Sequence, residues 1–353
     1  MKLLYTLTFL VILACGILAF DQETYQPLSE TAVRDHFLDF TRKFQRFYKG
    51  PEEYEYRLKV FRENIETSRR MNIREGNNNY GITKFSDLTS DEFRKFYLME
   101  KKTPKEIQKM MRMDSNKMVS NSYAKPAPDH YDWRNHGAIT GVKDQGQCGS
   151  CWAFSAIGSI EGSYAIKHKQ LVSFSEQQLV DCDNNCVTFE NQQSCDDGCN
   201  GGLQWSAYQY LMKAGGVVTE KDYPYYAERY KCEVKPANFV AKLSNWTMLS
   251  TNETEMANWL AENGPIAVAL NADFLQNYNN GIADPAWCDP TQLDHGVLIV
   301  GYGLETFWFG KPQPYWIVKN SWGYDFGEDG YFRIVKGVGR CGINTVPSAA
   351  FVY

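Results

Sequence analysis

Two cysteines three positions apart, Cys148 and Cys151, sit in "DQGQCGSCWAF", and such a pair can ligate a metal, exchange disulfides, or supply a thiol nucleophile. Zinc would need a second CxxC or an HxxxH at a suitable distance, and none follows, so neither a metal nor any other cofactor is expected. A redox pair would use both cysteines together and need no distant histidine. A nucleophile would need a thiolate, hence a positive surrounding and a base. Cys151 opens the helical stretch "CWAFSAIGSIEGSYAIKHKQ" after Gly149 and Ser150, which puts its sulfur at the positive end of the helix dipole.

Five histidines are available as a base, and His36 lies in a separate N-terminal segment. His168 is on the same helix, about 25 Å away at ~1.5 Å per residue. His130 and His136 fall in the turn-rich "PDHYDWRNHGAIT" and read as solvated. His295 remains, at the mouth of the apolar strand "HGVLIVGYG". Asn320 in "VKNSWG" ends another β run and can orient the ring, with Trp322 covering the contact from water. Gln145 precedes Cys151 by six residues, and its amide can meet a developing oxyanion together with the Cys151 N–H.

The elements that must position these groups fall into two segments of opposite charge. The chain has 353 residues and a net charge of −5: +1 for residues 1–20, +4 for 21–126 and −10 for 127–353. No basic stripe interleaved with aromatics suggests a nucleic-acid partner. "MKLLYTLTFLVILACGILAF" has the layout of a signal peptide ending between Gly16 and Asp21, and no other segment is apolar enough to span a membrane. Entry into the secretory pathway makes disulfides the default for the nine cysteines after Cys15, and their odd number leaves at least one thiol unpaired.

Residues 21–126 lack cysteine and read as charged helices. Tyr54, Leu58, Phe61 and Ile65 form one apolar stripe. A short strand is expected over Ile82 to Phe85, then a helix capped near Thr89 or Ser90 with Glu92 shortly after. A Met- and Lys-rich stretch and a linker lead to residue 126. The basic balance of this segment against the acidic remainder favours a domain that docks there and is released at low pH. Beyond residue 126, helices dominate to about Asp222, namely Cys151 to about Lys169, "SEQQLVDC" and "LQWSAYQYLMKAGG". Short β runs follow: "FVAKLSNWTML", "PIAVALNA", "HGVLIVGYG", "PYWIVKNSWG" and "GYFRIVKG". A helical half and a β-rich half predict an α+β enzyme with a cleft between two lobes.

The blocks "QGQCGSCWAFS", "LDHGVLIVGYG" and "KNSWG" resemble the three active-site blocks of papain-type cysteine proteases, and the Cys151 to His295 separation falls in that family's range. Glu53, Arg57, Phe61, Asn64 and Asn72 resemble the helical propeptide motif, with Ser68 where Ile or Ala is usual. "GITKFSD" resembles its second motif, with Thr83 where Asn is frequent. The cysteine-rich insertion and this stretch look most similar to the cathepsin F-like branch. The resemblance implies a two-lobed papain-like fold (127–353) behind a helical inhibitory propeptide (21–126) and a signal peptide (1–20). It makes Cys151 the nucleophile, His295 the base and acid, Asn320 the orienter, Gln145 the oxyanion donor and Trp322 the shield.

The same resemblance implies disulfides Cys148–Cys199, Cys182–Cys232 and Cys288–Cys341. Cys186 and Cys195 are then left to pair within the insertion, and Cys151 is the free thiol. Gly201 and Gly202 match the backbone ledge for substrate. Leu203, Ala269, Leu293 and Val346 match the principal specificity pocket, with Gln204 at its edge and Asp294 alongside. No acidic residue matches the pocket floor, so a bulky apolar side chain is expected there and Arg disfavoured. No histidine lies between His168 and His295 to supply an exopeptidase loop, which favours an endopeptidase. Asn245 and Asn252 head N-glycosylation sequons. The expected protein is a monomeric zymogen of a lysosomal, vacuolar or extracellular peptidase acting on proteins and peptides, inhibited by its own propeptide and by cystatin-like proteins. A silent binding protein on the same fold would show a replaced Cys or His, and a thiol–disulfide oxidoreductase would leave Cys148 free.

Overall fold

The computed structural model describes residues 26–103, 106, 127–189, 192–306 and 311–353. The signal peptide, most of the Met- and Lys-rich stretch, and the expected boundary at residue 126 lie outside them. Two compact units are distinguished, one ending at Phe47 and one running from Tyr48 to Tyr353.

In the first unit, helix α1 (Glu30–Lys43) starts at Ser29, whose Oγ accepts the Ala32 N–H. Phe37, Phe40 and Phe44 share one face, with ring centroids 6.0 and 5.3 Å apart.

The second unit begins with α2 (Pro51–Glu75), which has Pro at its start, where no N–H is needed, and Gly76 at its end in the left-handed region (φ 66°). The predicted stripe faces inward, with Leu58, Phe61 and Ile65 buried. Helix α3 (Ser90–Tyr97) has a full capping box between Thr89 and Glu92. The turn between α2 and α3 is held from α2. Asn64 Nδ2 donates to Ser86 O and Leu88 O, Arg57 to Asp87 O and Glu92, and Asn72 exchanges two bonds with Tyr80.

The strand expected over Ile82 to Phe85 is absent. Its backbone groups go to local partners: the Thr83 N–H donates to Ser86 Oγ, the Phe85 N–H to Thr83 Oγ1, and the Ser86 N–H to Thr83 O. Side-chain turns of this kind compete with a ladder, and here they win.

From residue 127 onward the helices come first. They are α4 (Cys151–His168), α5 (Glu176–Cys182, capped by Ser175) and α6 (Gln204–Ala214). Cys151, Trp152, Ala153, Ala156, Ile157 and Ile160 are completely buried, so α4 is enclosed on all sides over residues 151–162 and forms the core of its lobe. The insertion folds as a hairpin of β2 (Cys186–Phe189) and β3 (Gln192–Cys195), which the sequence reading did not anticipate.

The second lobe is a twisted sheet around β5 (Ile266–Leu270), β7 (His295–Glu305), β8 (Gln313–Lys319) and β9 (Tyr331–Val335), hydrogen-bonded in that order. On the far side of β5 lie β10 (Ser348–Val352) and then β4 (Leu243–Met248). The pairs are antiparallel except for β6 (Ile282–Ala283) with β9, and β1 (Tyr131–Asp132) pairs with β7. All five expected β runs are strands. Helix α7 (Glu253–Asn263) was not expected in this half; Asn252 caps it, accepting from Thr254 and Glu255 N–H.

Candidate active site

Cys151 is the first residue of α4 and the free cysteine among the described residues. Cys148 is bonded to Cys199, so 148 and 151 cannot act as a redox couple. The other bonds are Cys182–Cys232, Cys186–Cys195 and Cys288–Cys341, the same pairs that the resemblance implies. His295 opens β7, and Asn320 follows the end of its antiparallel neighbour β8, so sheet register brings ring and amide together across 25 residues.

The Gly296 N–H donates to Cys151 Sγ at 3.3 Å, which places the imidazole one residue from the thiol contact. Glycine at 296 allows this close approach: a Cβ there would lie a tight 3.1 Å from Cys151 O and from Trp152 Cα. Asn320 Oδ1 accepts the Ser321 N–H and must therefore be the oxygen. His295 Nε2, 2.8 Å away, donates to it, and the ring's Nδ1 is left without a partner. Trp322 stacks on His295 with centroids 4.5 Å apart and donates its Nε1–H to Gln145 Oε1. Ser321 Oγ also donates to that oxygen at 2.7 Å, which turns the Gln145 amide nitrogen the other way.

That nitrogen donates to Cys148 O at 2.8 Å and to Tyr97 O at 3.1 Å. Tyr97 ends α3, and the chain after it runs through the cleft. The Met99 N–H donates to Asp294 O, and Lys102 exchanges two 2.8 Å bonds with Leu293. Met99 is buried in one apolar cluster with Leu203, Ala269, Leu293 and Val346. Gly201, with φ 122°, lies against the same segment. A Cβ on Gly201 would sit 3.0 Å from Met99, and one on Gly202 only 2.5 Å from the Trp152 ring. Gln204 is turned away from this pocket, its amide donating to Val268 O and Ser155 Oγ.

Upstream of the cleft, Phe85, Phe93 and Tyr97 pack edge-on around Trp322. Ser68 Oγ lies 3.1 Å from Asn277 Oδ1, and Thr83 Oγ1 donates to Gln276 O at 2.6 Å. The two positions that depart from the usual propeptide motif are thus both docking contacts. Arg94 and Lys101 bind Asp273, and Lys101 also lies 3.8 Å from Asp294. Sequence reading missed these ion pairs at the residue level; their trace was the basic balance of the first segment.

Burial dominates the electrostatics. It pushes the Cys151 thiol up to about 12, against the lowering effect of the Gly296 N–H and the helix-start amides, with Asp294 adding to the rise. It pushes His295 down to about 4, against the Asn320 bond. Burial thus favours the neutral form of both groups in this closed form. Asp294 is raised to about 7 by burial first, countered by the Ala272 N–H. His130 and His136 are exposed, as expected, and His168, Asn245 and Asn252 are exposed as well. No cluster of metal-ligating side chains occurs among the described residues.

Residues 127–351 match the papain family cysteine protease domain, and residues 37–93 match the cathepsin propeptide inhibitor domain. The chain belongs to the papain family of cysteine proteases and carries its propeptide inhibitor domain in the same polypeptide. It is a cysteine peptidase in zymogen form. It is 43% identical to cysteine proteinase 1 of Dictyostelium discoideum over 92% of this chain and 94% of that protein. It is 40% identical to cathepsin F of Mus musculus over 90% of this chain and 64% of the relative. Among solved structures, digestive procathepsin L 3 of Tenebrio molitor larval midgut superposes with a TM-score of 0.75 at 33% identity, covering 90% of this chain and 99% of that one.

Proposed function

We propose that the chain is the acid-activated zymogen of a secretory-pathway endopeptidase that prefers a bulky apolar side chain at P2. In the activated enzyme, Cys151 gives its proton to His295 Nδ1, and the thiolate is stabilised by the α4 N-terminus and the Gly296 N–H. The sulfur attacks the scissile carbonyl, and the resulting oxyanion accepts from Gln145 Nε2–H and the Cys151 N–H. His295 returns its proton to the leaving amine as the C–N bond breaks. Water, deprotonated by His295, then cleaves the thioester and regenerates the thiol. Asn320 holds the ring through Nε2, and Trp322 covers that bond.

The observation that carries this reading is the Tyr97 carbonyl on the Gln145 amide, with Met99 among Leu203, Ala269, Leu293 and Val346. In this reading a peptide of this chain occupies the proposed oxyanion donor and apolar pocket, and its burial of the site favours the neutral thiol and imidazole. Met99 also indicates the P2 class: long and apolar, with no carboxylate among those four residues to pair an Arg.

Acid release is assigned to the tie between α2 and α3. Glu92 is held below the usual carboxylate range: burial alone would raise it, but the Arg57 guanidinium and the Thr89 N–H outweigh that. A depressed folded value means that this tie is present above the ordinary Glu range and lost as pH falls through the lowered value. Asp294 has the opposite sign. Its raised value contributes stability below the ordinary Asp range that is lost as pH rises through about 7, so it does not open the zymogen.

Asn245 and Asn252 are the proposed glycan acceptors. A glycan on Asn252 Nδ2 leaves the capping Oδ1 in place.

The test is to incubate the purified proprotein at about pH 5 with peptides carrying Leu, Met or Arg at P2, beside Cys151→Ala. Processing with hydrolysis of the Leu and Met peptides, absent in Cys151→Ala, supports the reading. Activity surviving in Cys151→Ala would overturn the nucleophile, and Arg accepted as well as Leu would overturn the pocket.

A further inference from the structure

Two carboxyl groups at the root of the β2–β3 hairpin have no part in the site described so far. Asp183, which follows α5, and Asp196, which follows β3, are both buried. Oδ1 of Asp183 accepts the Asn185 N–H at 2.9 Å, and Oδ1 of Asp196 accepts the Leu203 N–H at 2.8 Å. The Ser206 hydroxyl on α6 also reaches the Asp196 carboxyl; beyond that, Oδ2 of each has no donor among the described groups, and the two carboxyls are hydrogen-bonded to each other. Two ionised carboxylates have no proton to place in such a bond, and like charges that close do not both ionise in a dry site.

The charged and titratable neighbours do not supply a cation. Arg229 binds Asp197 and Asn184 on the outer side. Asp181 on α5 is engaged by Tyr223 and Tyr230, and Tyr210 faces Asp183 from α6. Glu100 and Lys102 line the far side of a cavity of about 470 Å³ beside the Gly201–Gly202 ledge, and Lys102 lies 3.7 Å from Glu100. The contrast is the buried pair Glu161 and Glu176, which Lys143 bridges at 2.9 and 2.6 Å.

We propose that Asp183 and Asp196 share one proton and act as positioning residues, holding the Gly201–Leu203 ledge in its substrate-binding conformation only while that proton is present. The mechanical link is short. Asp196 N–H donates to Asn185 O, Asp197 N–H donates to Gly201 O at 2.8 Å, and a Cβ on Gly202 would lie 2.8 Å from Asp196 Oδ1. Charging the second carboxyl pushes Asp196 from Asp183 and takes the Leu203 amide and the ledge with it. Burial raises both groups above the ordinary carboxylate range, so the brace is whole below that range and is lost as pH rises toward neutrality. The ledge thus restricts substrate binding to acid conditions independently of the thiol and imidazole.

The inference rests on the peptidase reading and is tested with the full chain, matured by itself, as wild type, Asp196→Asn and Asp196→Ala, with kcat and KM resolved between pH 4.5 and 7.5. In wild type KM rises toward neutrality, by at most about tenfold per pH unit for one proton. Asn keeps the Oδ1 acceptor and supplies a permanent donor to Asp183, so Asp196→Asn flattens the KM profile while the kcat profile is unchanged. Identical KM profiles in wild type and Asp196→Asn would overturn the proposal. A second readout needs no turnover: thermal midpoints of the Cys151→Ala zymogen with and without Asp196→Asn. The expected result is a smaller loss of midpoint between pH 5 and 7.5 with Asn, and an equal loss contradicts the shared proton. If wild type hydrolyses no peptide, the peptidase reading fails and the thermal comparison still decides on the proton. Asp196→Ala, where it folds, raises KM at every pH.

Discussion

Cys151 and His295 meet in one cleft, but they are held there by different kinds of structure. Cys151 is fixed locally: it begins α4, Cys148 is tied to Cys199 beside it, and the buried faces of α4 set the axis of the helix. His295 is fixed at long range. Its strand lies between β5 and β8, its ring is oriented by Asn320 across that sheet, and Trp322 covers it from a loop that Gln145 clamps. In the proposed mechanism the helix side controls the charge of the nucleophile, through the dipole and the backbone amides. The sheet side controls where a proton can go. A chain segment laid between them, Tyr97 to Lys102, takes the Gln145 amide, and burial disfavours the charged form of both groups.

If this division is right, variants on the two sides differ in kind as well as in size. The largest effect belongs to the helix side. Cys151→Ala lowers peptide hydrolysis by at least about 10⁴-fold and stops self-processing, while far-UV circular dichroism is unchanged. Gln145→Ala leaves the oxyanion with the Cys151 N–H alone and lowers kcat by about 10²–10³-fold, more than it changes KM. Asn320→Ala acts on the sheet side. It frees the ring and lowers kcat/KM by about 10–100-fold, the size seen when an orienting partner of a functional histidine is lost. A loss as deep as that of Cys151→Ala would make Asn320 more than an orienter. The smallest effect is on gating. Glu92→Gln removes the α2–α3 ion pair and raises the pH at which the zymogen processes by about one unit, with the mature enzyme unchanged. An unmoved activation pH would shift the acid trigger to another carboxylate.

The two sides also differ in how much of them was legible. The helix start, the glycines and the cysteine spacing around Cys151 are local, so the thiol and its dipole setting could be read directly. His295 was reached by eliminating four other histidines, and its contact with Asn320 depended on a strand order that periodicity does not give. Helix α7 and strand β10 went unnoticed because the apolar positions "EMANWLAEN" and "SAAFV" are short and lack clear periodicity beside strong β runs. The misread strand at Ile82 has an extended-looking composition, and only the folded turn shows that Thr83 and Ser86 satisfy its backbone. The hairpin of the insertion and the Asp183–Asp196 contact were invisible for a related reason: they depend on which side chains a disulfide loop folds back upon.

The central claim is that the propeptide silences the site by keeping Cys151 a buried thiol beside a neutral imidazole. Alkylation by iodoacetamide from pH 5 to 8, followed by mass on Cys151 before and after propeptide removal, tests it most directly. The expected result is a zymogen whose Cys151 stays unmodified across the range and a mature form that reacts readily even at pH 5. Equal reactivity of the two forms would contradict it.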